Sequence, residues 1–279
     1  MRVFYKNHRG QTIDFTEWPY KISVSDLFDY KWKYKSQNSL NPKITRFYRE
    51  LTDKSVRFAV SARTIDAYHQ AMMSLHEATE RDILAKQPGR LYVGDNYLPC
   101  YIVASKKTEW HPGVAFLVNT FSIVSETGIW IQESTFTYQA LAKTVTEAQD
   151  TYMDYPYDHA YDYASAVLAY TVNNKGFTSA DFELTITGPC SNPEVIIAGH
   201  PYKVNCDLES GELLKVNSLT KKIYMIRING EQVNQFHLRS REQSVFFQKI
   251  PEGTSTVTWD GSFNFNLTLF EGRSEPRWT

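Results

Sequence analysis

From Val3 to Tyr48 the chain runs as short apolar pieces cut by turn residues. His8-Arg9-Gly10 separates Val3-Phe4-Tyr5 from Ile13-Phe15, a spacing that predicts an opening hairpin. Ile22-Ser23-Val24 follows, and then Phe28 to Lys35 alternates aromatic and charged residues. A period of two predicts a strand there, with Phe28, Tyr30, Trp32 and Tyr34 on one face and Asp29 and three lysines on the other. That polar face is expected to meet solvent or a neighbouring subunit. From Thr64 the period changes. Ile65, Tyr68, Met72, Leu75 and Ile83 fall mostly at steps of three and four, which predicts one amphipathic helix packed on a sheet. Thr64 is its expected N-cap, Asp66 lies in its first turn and Pro88-Gly89 sits past its end.

Strands resume at Arg90–Val93, 97–104 and 115–124, with the tight-turn sequence Gly94-Asp95-Asn96 between the first two. One helix followed by a meander, without βαβ alternation, argues against a parallel doubly wound sheet. Residues 143–163 then change character. Within them, Tyr152 to Tyr163 hold five tyrosines and three aspartates around Pro156, and the stretch reads as an ordered connector with a domain boundary nearby. Beyond Val167 the pattern is all β. Phe182, Leu184 and Ile186 alternate; strands are expected at Val195–Ile197, Leu213–Val216, Ile223–Ile228, Ser244–Phe247, Thr254–Trp259 and Phe263–Phe270, with Asn229-Gly230 as a hairpin turn. This regular spacing predicts a sandwich or jelly roll.

The 279 residues suit one large or two ordinary domains, at roughly 150 residues each. An apolar content of 42% with 22% charged residues marks a folded chain and sets global disorder aside. Lys+Arg 30 against Asp+Glu 31 leaves a net charge of −1, without the basic excess that holding a polyanion requires. The 14% aromatic content favours strands and flat contact surfaces, subunit contacts included. No apolar run nears the ~18 residues that span a bilayer, and the N-terminus turns polar at once, so neither membrane insertion nor a leader is expected. Cys100, Cys190 and Cys206, odd in number and widely spaced, read as reduced thiols in a protein made in a cytosol.

Candidate chemistry is sparse. His76-Glu77-Ala78-Thr79-Glu80 lacks the second histidine of a zinc-protease helix, and His69 is two turns away. Asp154, Asp158 and Asp162 recur every four residues, whereas a calcium loop uses alternate positions and a central glycine. Nucleophile elbows, phosphate loops and dinucleotide fingerprints are absent from the sequence, so no catalytic, cofactor-binding or metal residue is assigned and no enzyme is expected. Trp259, Trp278 and the tyrosine-rich connector are the candidates for stacking on sugar rings, set against the plainer role of filling a core or an interface.

In order and spacing these segments resemble the distal tail protein (Dit) family of siphophages and related prophages of Gram-positive bacteria. The resemblance runs over nearly the whole chain. It rests on Leu75-His76-Glu77 in the helix, Pro88 to Gly94, Tyr97 to Tyr101 and Trp130-Ile131. In the second half it rests on Ile186 to Pro193, Gly211-Glu212, Asn229-Gly230, Asn234-Gln235-Phe236, the Phe246 to Gly253 run and the closing Arg273 to Trp278. It implies a mainly β chain: an N-terminal ring-forming domain over 1–142, a β-sandwich or split barrel with one helix, and a C-terminal galectin-like β-sandwich over 143–279. It also implies a homo-hexameric ring at the virion's tail tip or baseplate, made in the bacterial cytoplasm. Such a ring joins the tail tube protein to the tail-associated lysin or baseplate hub, and in many phages to receptor-binding proteins, while DNA passes its channel without specific binding. A galectin-like domain need not bind sugar. The galectin pattern His-x-Asn-x-Arg meets His237-Leu238-Arg239-Ser240-Arg241 here, without the asparagine, so no lectin activity is expected from that segment. The alternative function is a carbohydrate-binding module that aids adsorption.

Overall fold

The computed structural model describes residues 1–37, 43–141, 170–242 and 244–278. Their contacts form two compact units, Met1–Glu133 with Gly272–Thr279, and Ser134–Glu271. The expected connector 143–163, with Asp154, Asp158 and Asp162, lies outside the described residues.

In the first unit the opening hairpin forms as expected. Val3–Lys6 pairs antiparallel with Thr12–Asp14, and on its other side with Gly89–Val93. The long strand Asn96–Thr108 pairs through its first half with Gly89–Val93 and through its second with Phe116–Ser125. A register irregularity between Ile102 and Ala104 accompanies this change of sheet, the bend a β-bulge supplies. Thr52–Ser61 lies between Phe116–Ser125 and Tyr20–Ser25. Every named pairing is antiparallel, so the mainly β class holds and a doubly wound sheet is excluded among the described residues. The enclosed core includes Tyr5, Phe15, Phe58, Phe121 and Trp130, all buried.

The helix spans Ile65–Ala85, capped by Thr64, whose hydroxyl accepts from Ala67 N at 3.2 Å. Its buried face is Tyr68, Ala71, Leu75, Ala78, Thr79 and Asp82. Ile65 and Ile83, expected on that face, are exposed. Small Ala71 and Ala78 bring the helix close to the strands, and a carboxylate occupies the position where the apolar count placed the stripe's end.

The strand expected over Phe28 to Lys35 is shorter and shifted. Residues 28–32 are not extended pairing backbone, and Lys33–Gln37 pairs with Lys43–Tyr48 in a separate two-stranded ribbon. Leu27 is buried, and Asp29 N donates to Asp26 O, closing a turn. The Lys54 ammonium donates to the carbonyls of Asp26 (2.9 Å) and Asp29. Those backbone groups therefore serve a turn and a buried lysine instead of a ladder.

The second unit is a sandwich. One face pairs Gln232–Asn234, Lys222–Ile226, Leu213–Asn217, Asp181–Thr187 and Asn264–Arg273 in that order. The other orders Tyr170–Asn174, Gly253–Thr258, Glu194–Ile197 and His200–Lys203. Phe182, Leu184 and Ile186 alternate inward as expected and share a core with Val195, Tyr202, Val257 and Leu267. Asn229-Gly230 makes the hairpin turn between Lys222–Ile226 and Gln232–Asn234, with Gly230 at φ +82°. Ser244–Phe247, expected as a strand, is a turn. The rings of Phe246 and Phe247 meet edge to face at 5.1 Å, which successive residues of a strand, pointing to opposite faces, cannot do.

Candidate functional site

Three arrangements in the first unit stand out: an exposed aromatic ribbon, an aromatic clasp at the chain's end and a buried polar cluster. In the ribbon, Tyr34 and Phe47 are direct cross-strand partners, 61% and 59% exposed. Lys33, Lys35, Lys43 and Arg46 stand on the same two strands, which carry no acidic residue. A two-stranded ribbon has no buried face of its own, so these rings remain in water until something covers them. Its base is anchored: the Arg49 guanidinium lies over the Trp32 ring, 4.2 Å from the centroid, and donates to Gly128 O and to Ser274 Oγ at 2.7 Å. Burial lowers the Arg49 pKa, yet an arginine remains charged there.

Trp278, one of the proposed sugar-stacking residues, is 71% exposed and stacks on Phe28 with centroids 4.1 Å apart. One of its faces is taken. Trp259 is half-buried against the second unit's core: it packs against Tyr138, Tyr170 and Phe265, and its Nε1 donates to Phe263 O at 3.2 Å. Of the two tryptophans, Trp278 is the more exposed.

The buried cluster centres on Asp82, at 0% exposure. Its carboxylate accepts from Tyr5 Oη and His8 N (3.0 Å) and meets His8 Nδ1 at 2.5 Å. Burial, reinforced by the hydrogen bond to Asp82, raises the Tyr5 pKa, so its phenol stays protonated and donates. Gly89 passes so close that a Cβ there would overlap the Tyr5 phenol and lie 2.5 Å from Asp82 Oδ2. The cluster joins the opening hairpin to the helix's last turn. The sequence pattern missed it because Asp82 and His8 lie 74 positions apart and neither belongs to a motif.

The remaining sequence candidates are not brought together. His76 and Glu80 are exposed, with Nδ1 and Oε2 3.9 Å apart. Among the described residues no three metal-ligating side chains come together. Cys100 is buried on Asn96–Thr108, and burial pushes its thiol up to about 12; Cys190 and Cys206, pushed to about 11, lie in the second unit. His237 and Leu238 sit in a single 3-10 turn, and the following Arg239 folds its guanidinium back over Phe236, 4.0 Å from the ring centroid. Among the described residues no helix is long and apolar enough to cross a membrane.

The fold so defined is shared with chains of solved phage Dit and baseplate structures. The crystal structure of the Dit protein (gp 19.1) of phage SPP1, described as a paradigm of the hub adsorption apparatus in Gram-positive-infecting phages, matches with a TM-score of 0.60. That match covers 98% of both chains at 11% identity. The phage p2 baseplate in its activated conformation, solved with Ca and with Sr, contains a chain that matches with a TM-score of 0.67. There 99% of each chain is covered, again at 11% identity. At that identity the likeness is one of fold. No family model matches the chain, and no curated protein matches it.

Proposed function

We propose that this chain is a distal tail protein: a non-enzymatic structural component at the tip of a long, non-contractile phage tail. Six copies form a ring that joins the tail tube to the tail-associated lysin or baseplate hub and to receptor-binding proteins. The ring-forming part is expected in residues 1–142, and the galectin-like sandwich in 143–279. The observation that carries this reading is the match of fold over 98–99% of both chains to the SPP1 Dit protein and to a p2 baseplate chain. A likeness over the full length, in place of one sandwich alone, favours the tail-tip role over a free-standing carbohydrate module.

The exposed ribbon supports it. Tyr34, Phe47 and Ile44 are uncovered apolar residues, and a patch of that kind marks a contact surface. Head-to-tail contacts of one surface with another close into a ring when the rotation closes. The net charge of −1 per chain suits a channel that lets DNA pass without holding it.

Electron microscopy of the purified chain tests this. Six-fold rings with an open centre are expected. Tyr34→Asp, at an exposed position, should change stability by no more than about 0.5 kcal/mol while abolishing rings. A wild-type chain that forms no ring, alone or with its tail-tube protein, would overturn the proposal.

A further inference from the structure

The sandwich of the second unit carries an open groove of about 700 Å³ on the outer side of its Lys222–Ile226 and Gln232–Asn234 strands. That volume falls within the range of small-ligand sites. The strand register builds it. Tyr224 lies between Lys215 and Asn234, its direct partners on the neighbouring strands, and Lys222 lies opposite Asn217. Because outward positions alternate with core positions, Asn217, Lys222, Tyr224, Gln232 and Asn234 share the solvent side while Val216, Ile223 and Met225 fill the core. Phe236 also lines the groove, with Arg239 over its ring and Phe247 stacked against it, centroids 6.1 Å apart.

The chemistry of the lining is specific. Gln232 offers a donor and an acceptor within one side-chain amide, the pairing that vicinal hydroxyls require, and Asn217 and Asn234 line the groove beside it. Both asparagines are oriented by the backbone: Asn217 Oδ1 accepts from Thr220 N and Asn234 Oδ1 accepts from Phe236 N, both at 2.9 Å. Asn217 Nδ2 is also engaged, with Glu183 at 2.8 Å, whereas Asn234 keeps its NH₂ group for a ligand. The Tyr224 ring provides a flat apolar face. Lys221 and Lys222 line the groove, and none of its lining residues is acidic. Lys221 sits over the Phe247 ring, 5.1 Å from its centroid, which leaves Lys222 as the freer cation.

We infer that this groove binds an acidic glycan, a saccharide chain carrying carboxylate or phosphate groups, with its hydroxyls on Gln232 and the Asn234 NH₂ group, a pyranose face on Tyr224 and its anionic substituent on Lys222. Nucleic acid is disfavoured, since two lysines on a chain of net charge −1 neutralise too few phosphates to hold it. The groove's lining includes neither Trp259 nor any residue of His237–Arg241, and the site stands whether or not the chain forms a ring.

The test is a printed array of neutral, uronic-acid and phosphorylated glycans, probed with the full chain. Variants are Tyr224→Ala and Lys222→Glu, with Lys21→Glu in the first unit as a matched charge change. Retention on acidic glycans is expected, at least ten-fold weaker for both groove variants and unchanged for Lys21→Glu. Lys222 is exposed, so its variant remains informative if Tyr224→Ala fails to fold. The proposal is overturned if no acidic glycan is retained above its neutral counterpart. Equal binding by the groove variants, or equal competition by oligothymidylate or polyglutamate, would overturn it as well.

Discussion

Replacing Gly89 by alanine tests the buried cluster that ties the opening hairpin to the helix. The added Cβ would overlap the Tyr5 phenol and lie 2.5 Å from Asp82 Oδ2. Neither neighbour can yield cheaply, because Tyr5 is enclosed in the core and Asp82 is fully buried. Overpacking of this kind costs about 1–3 kcal/mol. Pushing Tyr5 off the carboxylate forfeits a hydrogen bond to a charged group as well, about 1.5–3 kcal/mol. The expected loss is therefore about 3–5 kcal/mol, a large part of the roughly 5–15 kcal/mol that stabilises a typical domain. In a thermal melt this amounts to a fall of about 6–20 °C for a unit of this size. Gly230→Ala is the control: its Cβ meets nothing within 4 Å, but φ is +82°, so the backbone alone should cost about 1 kcal/mol. Calorimetry and guanidinium titration of both variants read the difference. If Gly89→Ala were as mild as Gly230→Ala, close packing around Asp82 would not be what joins hairpin to helix.

Other predictions concern the cap, the thiols and a tryptophan. Thr64→Ala removes the helix's side-chain cap and should cost about 1 kcal/mol in a denaturant titration, whereas Thr64→Ser should restore most of it. Burial holds the thiols of Cys100 at about 12 and of Cys190 and Cys206 at about 11, against about 8.5 in an unfolded chain. The folded state keeps protons that the unfolded state has released, so this stabilisation is complete below about pH 8.5 and is lost as pH rises toward 11–12. Urea midpoints should therefore fall between pH 8 and pH 10.5, and a flat or rising trend would contradict the assignment. Trp259→Ala should destabilise the sandwich by about 3 kcal/mol, since the ring packs on Tyr138, Tyr170 and Phe265. A variant of unchanged melting temperature would show that ring to be free for ligand.

Much of the fold is legible in the sequence where one period governs a segment. Phe182, Leu184 and Ile186 alternate because only one face of their strand meets the core, and Thr64 caps the helix through its own hydroxyl. Phe28 to Lys35 misleads because its alternation is a surface pattern: Tyr30, Trp32 and Tyr34 are exposed, and Asp26 and Asp29 turn the chain around Lys54 first. The helix stripe goes astray at Ile65 and Ile83 for a related reason, since the tight approach selects Ala71, Ala78 and the paired Asp82 over larger apolar groups. The aromatic ribbon is partly visible as a run of rings and lysines, but its pairing of Tyr34 with Phe47 depends on register. The groove around Tyr224 escapes altogether. Its amides come from two strands with Tyr224 on the strand between them, and no linear spacing brings Asn217, Tyr224 and Asn234 together.

The central claim is assembly, and the molar mass in solution tests it most directly. Light scattering on the size-exclusion peak should give about 194 kDa, six chains of 32.3 kDa each. A peak at 32.3 kDa that persists at high concentration and with the tail-tube protein present would contradict the ring.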